Sequence, residues 1–148
     1  MNIIEITTRI RLAEDSQKLD RAILNASDFI ECGEGDENEI RTLFQSVIER
    51  IGRVGDREEA LNCLSKCAIG LGSVRESDLA NLISLMEEFE KGELLLFINI
   101  LSNADQAKYL DVLRRLAENS DKEISAEAIQ AMEELRWRVS KRGTESKD

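Results

Sequence analysis

Proline and histidine are both missing from this chain, cysteine occurs three times, and aromatic residues amount to one Trp, one Tyr and four Phe. Without proline nothing forces a helix to break, so helices are expected to end on glycine and short polar caps. Without histidine the usual base of nucleophilic triads and the commonest metal ligand are gone, which argues against an enzyme. The odd set Cys32, Cys63 and Cys67, with the last two four residues apart on one expected helix, does not make a disulfide framework and points to a reducing cytosol. No apolar run approaches the roughly 20 residues of a membrane span. Residues 1–12 carry no signal-peptide pattern, because Glu5, Arg9 and Arg11 interrupt the apolar positions.

What is present is acid and helical periodicity. The 148 residues carry a net charge of −10, divided as −4 over residues 1–55, −5 over 56–103 and −1 over 104–148. The first two thirds would repel nucleic acid, and such a field can steer a basic partner into contact. The plainer alternative is that many soluble proteins are simply acidic.

The segment Ser77 to Ala117 organises the rest. Ser77 opens a helix that Gly92 is expected to close, Glu93 to Leu101 forms a short apolar hub, and Ala104 to Ala117 a third helix. The hub, with Leu94, Leu95, Leu96, Phe97, Ile98, Ile100 and Leu101, has almost no polar face and must be covered by other helices. Its neighbours present Leu79, Leu82, Ile83, Met86 and Phe89, and Leu110, Leu113, Leu116 and Ala117, at three-or-four spacing.

Upstream, residues 3–13 favour a helix, although Ile4, Ile6, Ile10 and Leu12 also fit a strand's alternation. Asp15 and Ser16 cap a second helix with Leu19, Ala22, Ile23, Ala26, Phe29 and Ile30 on one stripe, and Cys32 to Asn38 is a loop. Glu37 to Ile51 is amphipathic at every step, and Asp56 with Glu59 makes a capping box for a helix whose stripe is Ala60, Leu61, Leu64, Cys67, Ala68 and Leu71, frayed by Gly70 and Gly72. Downstream, Ser120 with Glu123 caps a last helix carrying Ile124, Ala128, Met132, Leu135 and Val139, and 143–148 reads as a disordered tail. The fold class is therefore all-α, a single domain over residues 1–142. Its roughly eight helices come in antiparallel pairs whose starts repeat about 40 and then 27 residues apart, a degenerate HEAT-like right-handed α-superhelix, or else an ordinary helical bundle.

Chemistry-bearing motifs are scarce. Glu58 and Glu59, Glu87, Glu88 and Glu90, and Glu133 and Glu134 are carboxylate clusters, but adjacent glutamates on a helix diverge by about 100° and do not converge on a cation. Glu34 to Glu39 lacks the ligand alternation of a calcium loop. Cys63 and Cys67 are too few for zinc, and Cys67 sits on an apolar stripe as a small hydrophobe. Gly33-Glu34-Gly35 and Gly70-Leu71-Gly72 follow no strand and precede no P-loop Lys. No cofactor and no metal is expected. Trp137 stands about 200° from Leu135 on its helix, beside Glu133, Glu134 and Lys141, and a large aromatic on a polar face is a candidate binding anchor. The alternative is that it folds over the chain's end. Tyr109 has a similar flank position.

Four runs, Leu79-Ala80-Asn81-Leu82-Ile83, Leu94-Leu95-Leu96-Phe97-Ile98-Asn99-Ile100-Leu101, Tyr109-Leu110-Asp111-Val112-Leu113 and Ala126-Glu127-Ala128-Ile129-Gln130-Ala131-Met132, resemble HEAT-like immunity proteins of bacterial toxin systems, notably contact-dependent growth inhibition. The resemblance covers Asp78 to Leu135 and rests on apolar patterns. It implies a cytoplasmic inhibitor, not an enzyme, that binds the basic C-terminal domain of a cognate toxin, an RNase, and occludes its active site, with no direct contact to nucleic acid or membrane. The partner surface would be drawn from Glu34, Asp36, Glu37, Glu87, Glu88, Glu90, Tyr109, Glu133, Glu134 and Trp137. The alternative is a helical-repeat scaffold or adaptor that holds a basic protein partner.

Overall fold

The computed structural model describes residues 2–71, 74 and 76–145, with the backbone alone for 76–78 and 142–145. Among these residues the chain is all-α, with no strand beyond one isolated bridge. The helices are α1 (Ile3–Leu12), α2 (Ser16–Glu31), α3 (Glu37–Glu49), α4 (Arg57–Leu71), α5 (Glu76–Leu85), α6 (Lys91–Ser102), α7 (Tyr109–Ala117) and α8 (Lys122–Glu145), with a 3-10 helix at Met86–Glu88 after α5. They form two compact units, Met1–Gly72 and Ser73–Asp148.

In the first unit α1 packs on α2 and α3, and α4 packs on α2 and α3. Two helical hairpins thus lie with first helix on first and second on second. Asn2, Asp15 and Asp36 cap α1, α2 and α3 through side-chain oxygens that accept from Glu5, Lys18 and Glu39 N–H. Asp36 and Glu39 form a reciprocal box, Glu39 Oε1 accepting from Asp36 N–H at 3.0 Å. Asp56 accepts from Glu59 N–H at 3.1 Å, as its spacing predicts. The helix α4 is enclosed on more than its stripe: Cys63 and Ser65 are buried with Leu61, Leu64 and Cys67. Each large aliphatic or Phe side chain taken wholly out of water, such as Ile10, Leu43 or Phe44, contributes about 1.5–3 kcal/mol.

The end of α1 is closed from outside. Arg50, the residue after α3, donates from Nη1 to the Arg11 carbonyl at 3.2 Å and from Nη2 to that of Ala13. Arg11 Nε in turn donates to Ser46 Oγ at 3.0 Å. The orphan carbonyls of a helix C-terminus thereby gain charged donors. Gly35 (φ +94°) lies against Ile3: its left-handed conformation favours a residue without a Cβ, and an added Cβ would make the Ile3 side chain shift.

In the second unit α6 packs on α7 and α8. The expected hub is present here, with Phe97, Ile98, Ile100 and Leu101 buried, while Leu94, Leu95 and Leu96 are half-buried. Several boundaries differ from expectation. Gly92 does not close the preceding helix but sits in the first turn of α6. The break falls at Phe89 and Glu90, both extended, where Glu93 Oε1 accepts from Glu90 N–H at 2.9 Å and Phe89 meets Phe97 edge-on at 5.6 Å. The helix expected from Ala104 starts at Tyr109, because Val74 N–H bonds the Asn103 carbonyl at 3.0 Å and Val74 bridges to Ala104 in parallel. The cap of α8 is Asp121 and not Ser120: its Oδ1 accepts from Glu123 N–H at 2.9 Å and Ile124 N–H at 3.2 Å. The tail expected from Gly143 is helical through Glu145, and the rest of it lies outside the described residues, as does Gly72. Gly70 lies inside α4.

Candidate functional site

Helix α8 buries Ile124, Ala128, Ala131, Met132 and Leu135 and turns the opposite face outward. On that face Trp137 is 62% exposed, the largest apolar side chain the described surface offers. Glu133 and Glu134 precede it by four and three residues, and both are exposed. Together with Arg138 they line a shallow hollow beside the indole. Lys141 Nζ lies 5.1 Å from the ring centroid, a cation–π contact that fixes one face of the indole and leaves the ring largely accessible. Gln130 Nε2 donates to Glu134 Oε1 at 3.5 Å.

Ile129, 49% exposed, stands eight residues before Trp137 with Glu133 midway, so an apolar residue, a carboxylate and an indole follow one another along the helix at steps of four. Ile129 is absent from the expected partner surface although it lies off the expected core stripe of Ile124, Ala128, Met132, Leu135 and Val139. The i, i+4, i+8 spacing to Trp137 is the signal that finds it. The arrangement presents two apolar plugs separated by the Glu133 carboxylate, with Glu134 on the same side and the cations Arg138 and Lys141 beside the indole, a mixed patch in which the apolar groups can anchor and the carboxylates can meet basic groups of a partner.

The other predicted residues divide. Tyr109 is corrected: at 3% exposure it is a core residue at the start of α7, with Lys108 Nζ 5.4 Å from its ring centroid, and it offers no side chain to a partner. Its flank position marks the turn into α7, where the ring folds inward. Glu87, Glu88 and Glu90 are exposed in and just after the 3-10 helix. Glu34, Asp36 and Glu37 are exposed in the first unit. There Asp36 spends its carboxylate on the α3 cap and Glu37 pairs with Arg41 at 3.5 Å, which leaves Glu34 as the acid of that cluster with no partner among the described residues. The structure thus brings Glu133, Glu134 and Trp137 together and keeps the acidic clusters on separate elements.

Among the described residues no group of three or more Cys, Asp or Glu side chains is placed to hold a metal ion, and no helix is long and apolar enough to cross a membrane. Cys63 and Cys67 are buried one turn apart on α4. Their mutual hydrogen bond, the largest influence on each, lowers the Cys63 thiol, while the same bond and burial push that of Cys67 well up. Comparison with protein-family models, curated proteins and solved structures finds no significant match.

Proposed function

We propose that this is a cytoplasmic immunity protein. It binds the basic toxin domain of a polymorphic toxin system, an RNase, and neutralises it by covering the active site. The observation that carries this reading is the exposed Trp137 held by Lys141 and bordered by Glu133 and Glu134 on the outward face of α8. A large aromatic in water supplies an anchor and the two carboxylates beside it can pair with basic groups, while a nuclease active site is basic because it holds phosphates. The net charge of −10 acts in the same direction. The first-on-first, second-on-second stacking of α1 to α4 supports reading the helical pairs as a degenerate HEAT-like superhelix.

The experiment is co-expression with the toxin domain encoded beside the gene. Rescue of growth, a stable one-to-one complex and loss of RNase activity in the purified pair are the expected results. Growth arrest despite soluble protein of both kinds rejects the reading. A scaffold or adaptor is the second reading, favoured by the same hairpin stacking, which in repeat proteins builds peptide-holding surfaces. It is distinguished by a partner that is active when bound and has no toxicity alone.

A further inference from the structure

The first unit carries a surface of the opposite sign. Between α1 and α2 runs an open groove of about 440 Å3, lined by Thr8, Arg9, Leu12 and Ala13 on one side and Lys18, Arg21, Ala22 and Asn25 on the other, with Glu14 at the connection. Arg9, Lys18 and Arg21 are exposed, and none of them forms an ion pair among the described residues. Three cations against one carboxylate is a local reversal in a chain of net charge −10. Between them Leu12 is 71% exposed, the most exposed large apolar side chain of the unit, and half-buried Ala13 adds apolar surface.

We propose that this groove docks an acidic segment of a protein partner, one that lays carboxylates between Arg9, Lys18 and Arg21 and an aliphatic or aromatic side chain against Leu12. Charge complementarity selects the occupant. The cations sit on the rims of both walls, Arg9 on α1 and Lys18 and Arg21 on α2, the latter two about 4.5 Å apart along the axis at 1.5 Å per residue, so that they stand along two walls and not around one point. That spread suits a chain with several carboxylates better than one small anion, which needs donors converging on a point. The apolar stretch between the rims has no counterpart in a simple anion. A single-stranded nucleic acid is disfavoured by the lining itself, which offers no aromatic side chain on which a base could stack. This inference does not rest on the toxin reading, whose partner is basic.

The test is a titration of the ¹⁵N-labelled full chain with an acetylated, amidated peptide of four Glu-Glu-Leu repeats, followed by amide shifts. Saturable shifts confined to residues 8–25, with a dissociation constant below about 1 mM, are expected. Arg9→Glu with Arg21→Glu should weaken binding at least about tenfold, and Leu12→Ser should weaken it severalfold. Because all three positions are exposed, the thermal midpoint should hold, and Arg9→Gln with Arg21→Gln provides a milder version. Equal binding of a control peptide of four Lys-Lys-Leu repeats, unchanged affinity in both double variants, or shifts spread over the chain overturns the proposal. So does the same pattern at lower concentration with inorganic phosphate or a single-stranded RNA 12-mer, or concentration-dependent shifts of the same residues without peptide, which would make a second copy the occupant.

Discussion

Lys91 Nζ lies 3.2 Å from Asp121 Oδ2, so the residue that opens α6 is paired with the carboxylate that caps α8. The Ile124 N–H and then Lys91 hold the Asp121 carboxyl below its ordinary range, and the hydrogen bond that Lys91 donates to Asp121 is the largest of the influences that raise Lys91. A depressed carboxyl contributes stability above its unfolded value of about 3.9, lost as pH falls through the folded value. A raised ammonium contributes below about 10.4, lost as pH rises through its folded value. Asp121→Asn preserves a good cap and removes the charge. The difference in denaturant midpoint between parent and Asp121→Asn should therefore be level between these limits and shrink beyond each. A difference independent of pH would show that the ion pair contributes nothing.

Gly35→Ala should destabilise more than Gly33→Ala. Both positions have positive φ, +94° and +79°, which costs a residue with a Cβ about 1–2 kcal/mol. Only at Gly35 would the new Cβ also meet Ile3 Cδ1, at 2.9 Å, whereas the space at Gly33 is open. Urea unfolding of the two variants checks the order. Pairing Gly35→Ala with Ile3→Val should recover part of the excess.

Ile98→Asp puts an unpaired charge at a position 2% exposed, a class of change that exceeds about 4 kcal/mol. Calorimetry should show loss of the cooperative transition of the second unit. A transition near the parent's midpoint would mean that α6 is not central to it.

Trp137→Ala should leave the thermal midpoint unchanged, since the ring is in water, and weaken partner binding at least about thirtyfold, the effect of losing about 2 kcal/mol at an anchor. Ile129→Ser should act the same way and less strongly. A drop of many degrees in the midpoint with affinity intact would instead assign Trp137 to packing.

Glu133→Ala with Glu134→Ala should mainly slow association. Steering is screened at about 8 Å near physiological ionic strength, so the on-rate of the parent should fall with added salt while the off-rate holds. Stopped-flow measurements in which salt leaves the on-rate unchanged would remove steering from the mechanism.

Helix identity was legible because it is local. The stripes of α2, α3 and α4, and the caps at Asp15 and Asp56, follow from spacings of three and four within one segment. The errors arose where a distant group decides, or where two neighbouring residues compete for one helix boundary. Ala104 is drawn out of α7 by Val74, thirty residues earlier in the chain, and Gly92 enters α6 because Glu93 turns back to Glu90. Asp121 takes the cap from Ser120 as a carboxylate that also has Lys91 beside it. At the candidate site, Trp137 was legible because an indole opposite a core stripe has nowhere to hide. Tyr109 was not, since at a helix start the direction of a ring depends on the incoming chain. The groove between α1 and α2 was invisible because its charges lie on two helices whose pairing the sequence does not state.

The guanidinium of Arg50 has a temporal meaning as well as a geometric one. The carbonyls it occupies belong to Arg11 and Ala13, nearly forty residues closer to the start of the chain. During synthesis α1 is made before α3, yet the donors that finish it arrive only with residue 50. A helix of 10 residues is too short to persist alone in water. On the ribosome, α1 therefore waits for α3, and the order in which the two helices are made is not the order in which they settle.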